Sequence, residues 1–283
     1  MSLRDYHSAS SEDIMQLTAV KQQWEEKGYV ILSEFCDREE ITQLREICDR
    51  VLAQVIQERE NNGGYRDVTN IAYLSDRKYF TNDLSSLLIL LEFIAHPRII
   101  SLLSEIAGEM PLFHNTQYFY QPRYTSWQGI WHRDTQFLAP EIELEKQRMH
   151  EFTGVHFRVA FEPDNCLEYV PGSQKRWDTN AELAIRKGDN PTQAEMPGKK
   201  KIELQMGDAC LFHAWGIHRG TYQHNQPRRT LDIIYSWKGI CHYSPPPPLC
   251  FNDSSILKNL SQDARIFYNH FISTYQQFWE KLS

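Results

Sequence analysis

The sequence predicts a mainly β protein, a sandwich or barrel core from about residue 110 to 240, with a helical layer before it and a helix at about 254–282 after it. Three observations predict it. The first hundred residues carry apolar side chains at helical spacing; from Met110 the texture changes to short aromatic and β-branched runs; and turn signals separate those runs.

In the helical part, Ala19 to Lys27 leads into the apolar segment Gly28-Tyr-Val-Ile-Leu32. Asp37-Arg-Glu-Glu40 follows, an N-cap carboxylate with a Glu three residues on. Ile41, Leu44, Ile47, Val51 and Ile56 then form one stripe, and a second apolar helical stretch, about 84–106, is interrupted by His96-Pro97. The expected strands are Leu112 to Tyr120, Val155 to Phe161, Ile202 to Leu204, Ala209 to Phe212 and Thr230 to Trp237. Between them lie Glu162-Pro-Asp-Asn165, Pro171-Gly-Ser173, Met206-Gly-Asp208 and Asn225-Gln-Pro227. Pro245 to Pro248 reads as a stiff surface strap. The last helix brings Phe267, Phe271, Tyr275 and Phe278 to the core. One core accounts for all of this, so a single domain over 1–283 is expected, with the first 18 or so residues without order.

Composition narrows the function. The 283 residues are 41% hydrophobic and 24% charged, the balance of an ordinary soluble globular protein large enough to need no staples. The net charge of −7, without a basic face or Lys/Arg run, argues against a nucleic-acid partner. Six scattered cysteines form no CxxC pair, which gives neither a zinc knuckle nor a redox motif. The polar opening MSLRDYHSASSED cannot serve as a signal peptide, and no apolar run reads as long enough to span a membrane. A reduced, cytoplasmic protein is expected, acting on a small molecule, its oligomeric state open.

The chemistry lies in His132-Arg-Asp134. On an extended strand, residues i and i+2 share a face, so an imidazole and a carboxylate could reach one metal. A third ligand would complete the two-His, one-carboxylate triad that leaves open positions on iron(II). Alone, so short a motif is weak. The distal half offers His213 and His218 as rivals for the third place, then Arg229 eleven residues past His218. An iron that uses a dicarboxylic cosubstrate needs a cation for the far carboxylate, and a guanidinium fork suits that task.

Four segments resemble the phytanoyl-CoA dioxygenase family, which includes ectoine hydroxylases. These are Trp24-Glu-Glu-Lys-Gly-Tyr-Val-Ile-Leu-Ser-Glu-Phe35, Trp131-His-Arg-Asp134, Asn165-Cys-Leu-Glu-Tyr-Val-Pro-Gly-Ser-Gln174, and the distal set Gly207-Asp208, Phe212, His218 and Arg229. The resemblance implies a double-stranded β-helix, a cupin-like jelly-roll. It implies iron(II) on His132, Asp134 and His218, in preference to His213, and 2-oxoglutarate with its far carboxylate on Arg229. The activity implied is dioxygenase chemistry: O2 and 2-oxoglutarate are consumed, succinate and carbon dioxide leave, and a C–H bond of the substrate is oxidised. Two positions depart from the family pattern. Gln174 replaces the final His of its turn, and Arg219-Gly220 replaces Gly-Ser after the distal His, removing a hydroxyl that often holds 2-oxoglutarate.

Strand 112–121 alternates, with Phe113, Asn115, Gln117, Phe119 and Gln121 on one face; the resemblance implies that this face meets the cavity, with Phe119 and Gln121 toward the cosubstrate and Asn115 and Gln117 toward substrate. His156 and Arg158, on one face of the next strand, are the candidates for a substrate acid; the alternative for Arg158 is a structural carboxylate partner. Trp131, Trp215 and Trp237 are candidates for the same region. The expected substrate is therefore small, polar and carboxylate-bearing, and the expected outcome hydroxylation or oxidative dealkylation. Asp134 in its place disfavours halogenation. Two other classes compete, a non-catalytic jelly-roll binding module and a zinc hydrolase on the same three ligands; the second has no use for Arg229.

Overall fold

The computed structural model describes residues 11–62, 69–137, 139, 141–149, 154–189, 191–192, 194–237, 251 and 254–279, without the side chains of 11–16, 254 and 278. Pro245–Pro248, Cys241 and Cys250 lie outside them; the four described cysteines are buried free thiols.

The helical layer forms as its caps dictate. Helix α1 (Ser11–Lys27) begins earlier than expected and runs into strand β1 (Tyr29–Leu32). Asp37 caps α2 (Arg38–Asn61) in a capping box with Glu40, and Ile41, Leu44, Ile47 and Val51 are buried. The stretch Leu84–Ala107 passes for a membrane span by length and composition alone. It is two helices, α3 (Leu84–Ile94) and α4 (Pro97–Ala107), split where His96 caps the second and Pro97 takes its first turn. Leu87, Leu90, Leu91, Ile99 and Leu103 are buried in the main core.

Strands β2 (Asn70–Ala72), β3 (Leu112–Tyr120), β4 (Trp127–Gln128), β5 (Gly154–Ala160), β6 (Asp164–Tyr169), β7 (Lys200–Leu204), β8 (Ala209–His213), β9 (His218–Tyr222) and β10 (Arg229–Ser236) follow, with short helices α5 (Ile142–Arg148) and α6 (Asn180–Arg186) between them. They make a six-stranded sheet, β1-β8-β5-β10-β3-β2, and a four-stranded sheet, β4-β9-β6-β7, antiparallel throughout. The sheets face each other through Ala160, Cys210 and Phe212 on one side and Leu167, Tyr169, Ile202 and Leu204 on the other, the two-layer packing of a jelly-roll. The outer face of the large sheet is covered by the helices: Phe113 packs edge-on against Phe271 and Tyr268 of α8 (Gln262–Trp279). The expected single C-terminal helix is two, because α7 (Ser254–Asn259) ends before Ser261, whose backbone and hydroxyl donate to Glu92.

One register shift positions the site. Ile234 pairs with Asn115 but Tyr235 pairs with Phe113, so His114 is an extra residue bulged out of β3. The bulge reverses the faces. Phe113 goes to the helices rather than to the cavity, and His114 turns inward.

Candidate metal centre

Between the sheets lies a cavity of about 380 Å³, lined on the large sheet by rungs of residues that the register aligns. Gln117, Asp232 and Arg158 share one rung, and Asn115, Ile234, His156 and Phe212 the next. From the small sheet His218, Gly220 and Tyr222 face them.

His132 and Asp134 do not share a strand as expected. His132 sits in an isolated β-bridge with His218, and Asp134 opens a 3-10 turn, Asp134–Phe137. The bridge is two backbone bonds: His132 N–H donates to the His218 carbonyl at 3.0 Å, and His218 N–H to that of His132 at 2.9 Å. Asp134 N–H donates to the Ala214 carbonyl at 3.0 Å, so three main-chain bonds bring the HRD segment against the 214–218 segment.

The imidazoles are then oriented by their own chains. His132 Nδ1 donates to the Ile130 carbonyl at 2.8 Å and His218 Nδ1 to the Gly216 carbonyl at 2.9 Å. A carbonyl only accepts, so each Nδ1 carries the proton and each Nε2 keeps its lone pair. Those two Nε2 atoms lie 3.4 and 3.6 Å from Asp134 Oδ1, and the three ligand atoms are within 4.8 Å of one another. The donor set fits a divalent transition metal with open positions. Gly216 cannot be otherwise, since a Cβ there would overlap the Tyr169 ring. Burial, with His132 close by, pulls His218 down to about 3, so it is neutral as a ligand must be. Burial pushes Asp134 up, but the imidazoles around it, His132, His156 and His218, more than reverse this and hold it ionised.

His213 is elsewhere. It stacks on Trp24 at 5.3 Å, accepts from Trp215 N–H at 3.2 Å, and burial drives its pKa down to about 3, the profile of a core histidine.

Arg229 requires a correction. It does not line the cavity: its Nε donates to Asp49 Oδ1 of α2 at 2.7 Å, and its Nη1 to Gln121 and the Arg228 carbonyl. The reason is strand alternation. Leu231, Ile233 and Tyr235 face the helices, and Arg229 shares their parity, whereas Arg228, Asp232, Ile234 and Ser236 line the cavity. Gln121, occupied with Arg229 and with Arg228 N–H, is likewise outside the lining; Phe119 is inside it. Arg228 is 2% exposed, lies over Phe119 and Tyr222 at 5.0 Å from each ring centroid, and leaves Nε and Nη1 without a hydrogen bond. Asp164 Oδ1 is 3.6 Å from that Nε. Thr230, two residues on, also has an unbonded buried hydroxyl.

His156 and Arg158 do line the cavity, as do Asn115 and Gln117. Arg158 has found its carboxylate: Nε and Nη2 donate to Asp232 at 2.6 and 2.7 Å. Asn115 spends its carbonyl on the N–H groups of Tyr73 and Thr116. Trp215 lines the cavity, while Trp131 and Trp237 are core residues. Arg219 points away from the site, with Nε on Glu168 at 2.6 Å and its guanidinium over Trp131, and Gln174 donates to the Glu25 carbonyl. Asp232 and His114 were missed in the sequence. The alternation of β10 could have found Asp232, but nothing announces the bulge at His114.

Among solved structures, 307 chains match. The epimerase SnoN from nogalamycin biosynthesis, non-heme and alpha-ketoglutarate-dependent, superposes at TM-score 0.55 with 20% identity, over 79% of this chain and 82% of that one. AviO1 from Streptomyces viridochromogenes Tue57 gives 0.57 and 17%, over 85% and 100%. EctD from S. alaskensis with 2-oxoglutarate and 5-hydroxyectoine gives 0.55 and 16%, over 86% and 89%. Identities this low show a common fold. A search of curated proteins gave no match. The phytanoyl-CoA dioxygenase (PhyH) family model matches residues 24–230, a span that holds His132, Asp134, His218 and every strand but most of β10, and the chain belongs to that family.

Proposed function

We propose that this protein is an iron(II)- and 2-oxoglutarate-dependent oxygenase that oxidises a C–H bond of a small polar metabolite. The observation that carries the proposal is the pair of imidazoles pinned through Nδ1 with both Nε2 atoms beside Asp134 Oδ1, in a cavity that also holds the unbonded edge of Arg228. A buried guanidinium with open donors is costly unless an anion completes it. The folds of SnoN and EctD, crystallised with alpha-ketoglutarate or 2-oxoglutarate, support the same reading.

His132, Asp134 and His218 would hold the iron, and Arg228 the far carboxylate of 2-oxoglutarate. Iron(II) with 2-oxoglutarate would activate O2, the oxidant, which takes two electrons from 2-oxoglutarate as it becomes succinate and carbon dioxide and two from the substrate C–H bond. The chain's own part is to fix these groups and keep them from bulk water. A substrate carboxylate on Arg158, expected from sequence, is not supported, because Asp232 takes two of its donors. Away from Arg228, the rungs and their surroundings offer Asn70, Asn115, Gln117 and Ser236 beside Phe137 and Trp215, neutral polar groups among aromatic faces. We infer an uncharged substrate portion bearing hydroxyl or carbonyl groups there.

The test is succinate formation under air with purified protein, iron(II) and 2-oxoglutarate, across a metabolite panel. Release that requires both, and is lost in His132→Ala and Asp134→Ala, is expected. Turnover of an ester or amide with zinc and without 2-oxoglutarate would establish a hydrolase instead.

A further inference from the structure

We propose that His156 is a positioning residue for the metal centre: wedged between Asp134 and Asp232, it turns one oxygen of Asp134 toward the two ligand imidazoles. The proposal rests on the metal-centre reading above.

The two oxygens of Asp134 have separate partners. Oδ1 faces His132 Nε2 and His218 Nε2 at 3.4 and 3.6 Å, whereas Oδ2 is 2.9 Å from His156 Nε2. The far edge of that ring, Nδ1, is 3.4 Å from Asp232 Oδ2. Both ring nitrogens therefore face carboxylates, Nε2 within hydrogen-bond distance and Nδ1 without a hydrogen bond, a setting that would repel a substrate acid.

The ring is also fixed in plane. It lies flat on Phe212, with centroids 4.5 Å apart and 9° between planes. Its anchor is fixed in turn, because Asp232 is fully buried and gripped by the Arg158 fork on the same rung. Rigidity thus passes from the central strands β10 and β5, through His156, to a carboxylate that stands on a single 3-10 turn. Asp134 needs this, since a short turn constrains a side chain less than a sheet does. Partners that orient a metal ligand from behind commonly change metal affinity about ten- to a hundredfold when removed.

Cobalt(II) is the probe, because its visible d–d bands report the ligand set without turnover. Metal-free wild type should bind one equivalent, and His132→Ala should not. His156→Phe, which keeps the stack on Phe212 but cannot donate, should weaken Co(II) binding about ten- to a hundredfold and alter the bands. His156→Gln, which can still donate toward Asp134, should recover most of that loss. A merely structural histidine would lower the melting temperature in both variants without moving the Co(II) affinity of the folded protein. Should His156→Phe not fold, His156→Met carries the same expectation. Wild-type affinity and bands in a folded non-donor variant, or no difference between Gln and Phe, would overturn the proposal. A wild type that takes up no Co(II), or a His132→Ala that binds as well, would overturn the metal-centre reading and this one with it.

Discussion

Two adjacent arginines show what a single residue's orientation decides. Arg228→Ala should raise the 2-oxoglutarate concentration needed for half-maximal succinate release about ten- to a hundredfold, the loss of a charge-assisted fork worth ~1.5–3 kcal/mol. Arg229→Ala should leave that requirement unchanged and cost at most about 1 kcal/mol of stability, because its Asp49 pair is partly exposed. Cosubstrate titrations and urea melts of both variants check this, and the reverse pattern would return the role to Arg229. The spacing from His218 to Arg229 says nothing of facing, because it spans the 223–227 turn, where the period of two has no meaning. Counting back from Leu231, Ile233 and Tyr235, within one strand, puts Arg229 on the helix side. The metal-ligand candidates His132, Asp134 and His218 were legible because their residue types are informative in themselves.

At the scale of elements, the segment that carries His132 and Asp134 is not a regular strand, and Arg133 is what secures it. Fully buried between His132 and Asp134, it pairs with Asp178 at 2.8 Å and donates to the carbonyls of Ser173, Arg176 and Trp215. It thereby joins the HRD segment, the 173–178 turn and the approach to His218. Arg133→Met should cost about 3–5 kcal/mol, since it strips a buried carboxylate of one partner and three carbonyls of a donor. The unfolding midpoint in urea measures it; a loss under about 1 kcal/mol would show that Arg186, also on Asp178, suffices alone. In the sequence Arg133 is a spacer between two ligands. Its role depends on chain segments 40 and 82 residues away, which no local pattern reveals.

For the molecule as a whole, the large sheet and the helices over it were legible, because one apolar face at period 2 or 3.6 marks each. Of the small sheet only β7, expected at Ile202 to Leu204, was. β9 is His-Arg-Gly-Thr-Tyr, and β6 begins with the turn-like Asp164-Asn165, so their side chains serve the site and buried ion pairs rather than an apolar stripe. Buried carboxylates paired with arginines, in β6, in β10 and at α6, set the acid response. Burial pushes Asp164, Asp232 and Glu182 up, but Arg228, Arg158 and Arg176 more than reverse it, and Glu182 ends at about 2. Each carboxyl binds its proton less tightly folded than unfolded. Their contribution is therefore complete above the unfolded values near ~4, and drains as pH falls through the folded ones. For Glu182 the window runs from 4.5 to about 2. Denaturant melts should show little change between pH of about 7 and about 5.5 from these groups, then a steep decline; stability that rises on acidification would contradict the assignment.

The bridge between His132 and His218 has an entropic side. Because the main chain exchanges two bonds between the very residues that carry the imidazoles, their separation is set before any ion arrives. Uptake of metal need order little backbone, so its free energy goes into the coordination bonds and little is withdrawn to fold a loop. Loading and unloading should then leave the polypeptide nearly unchanged, the behaviour of a seat made in advance.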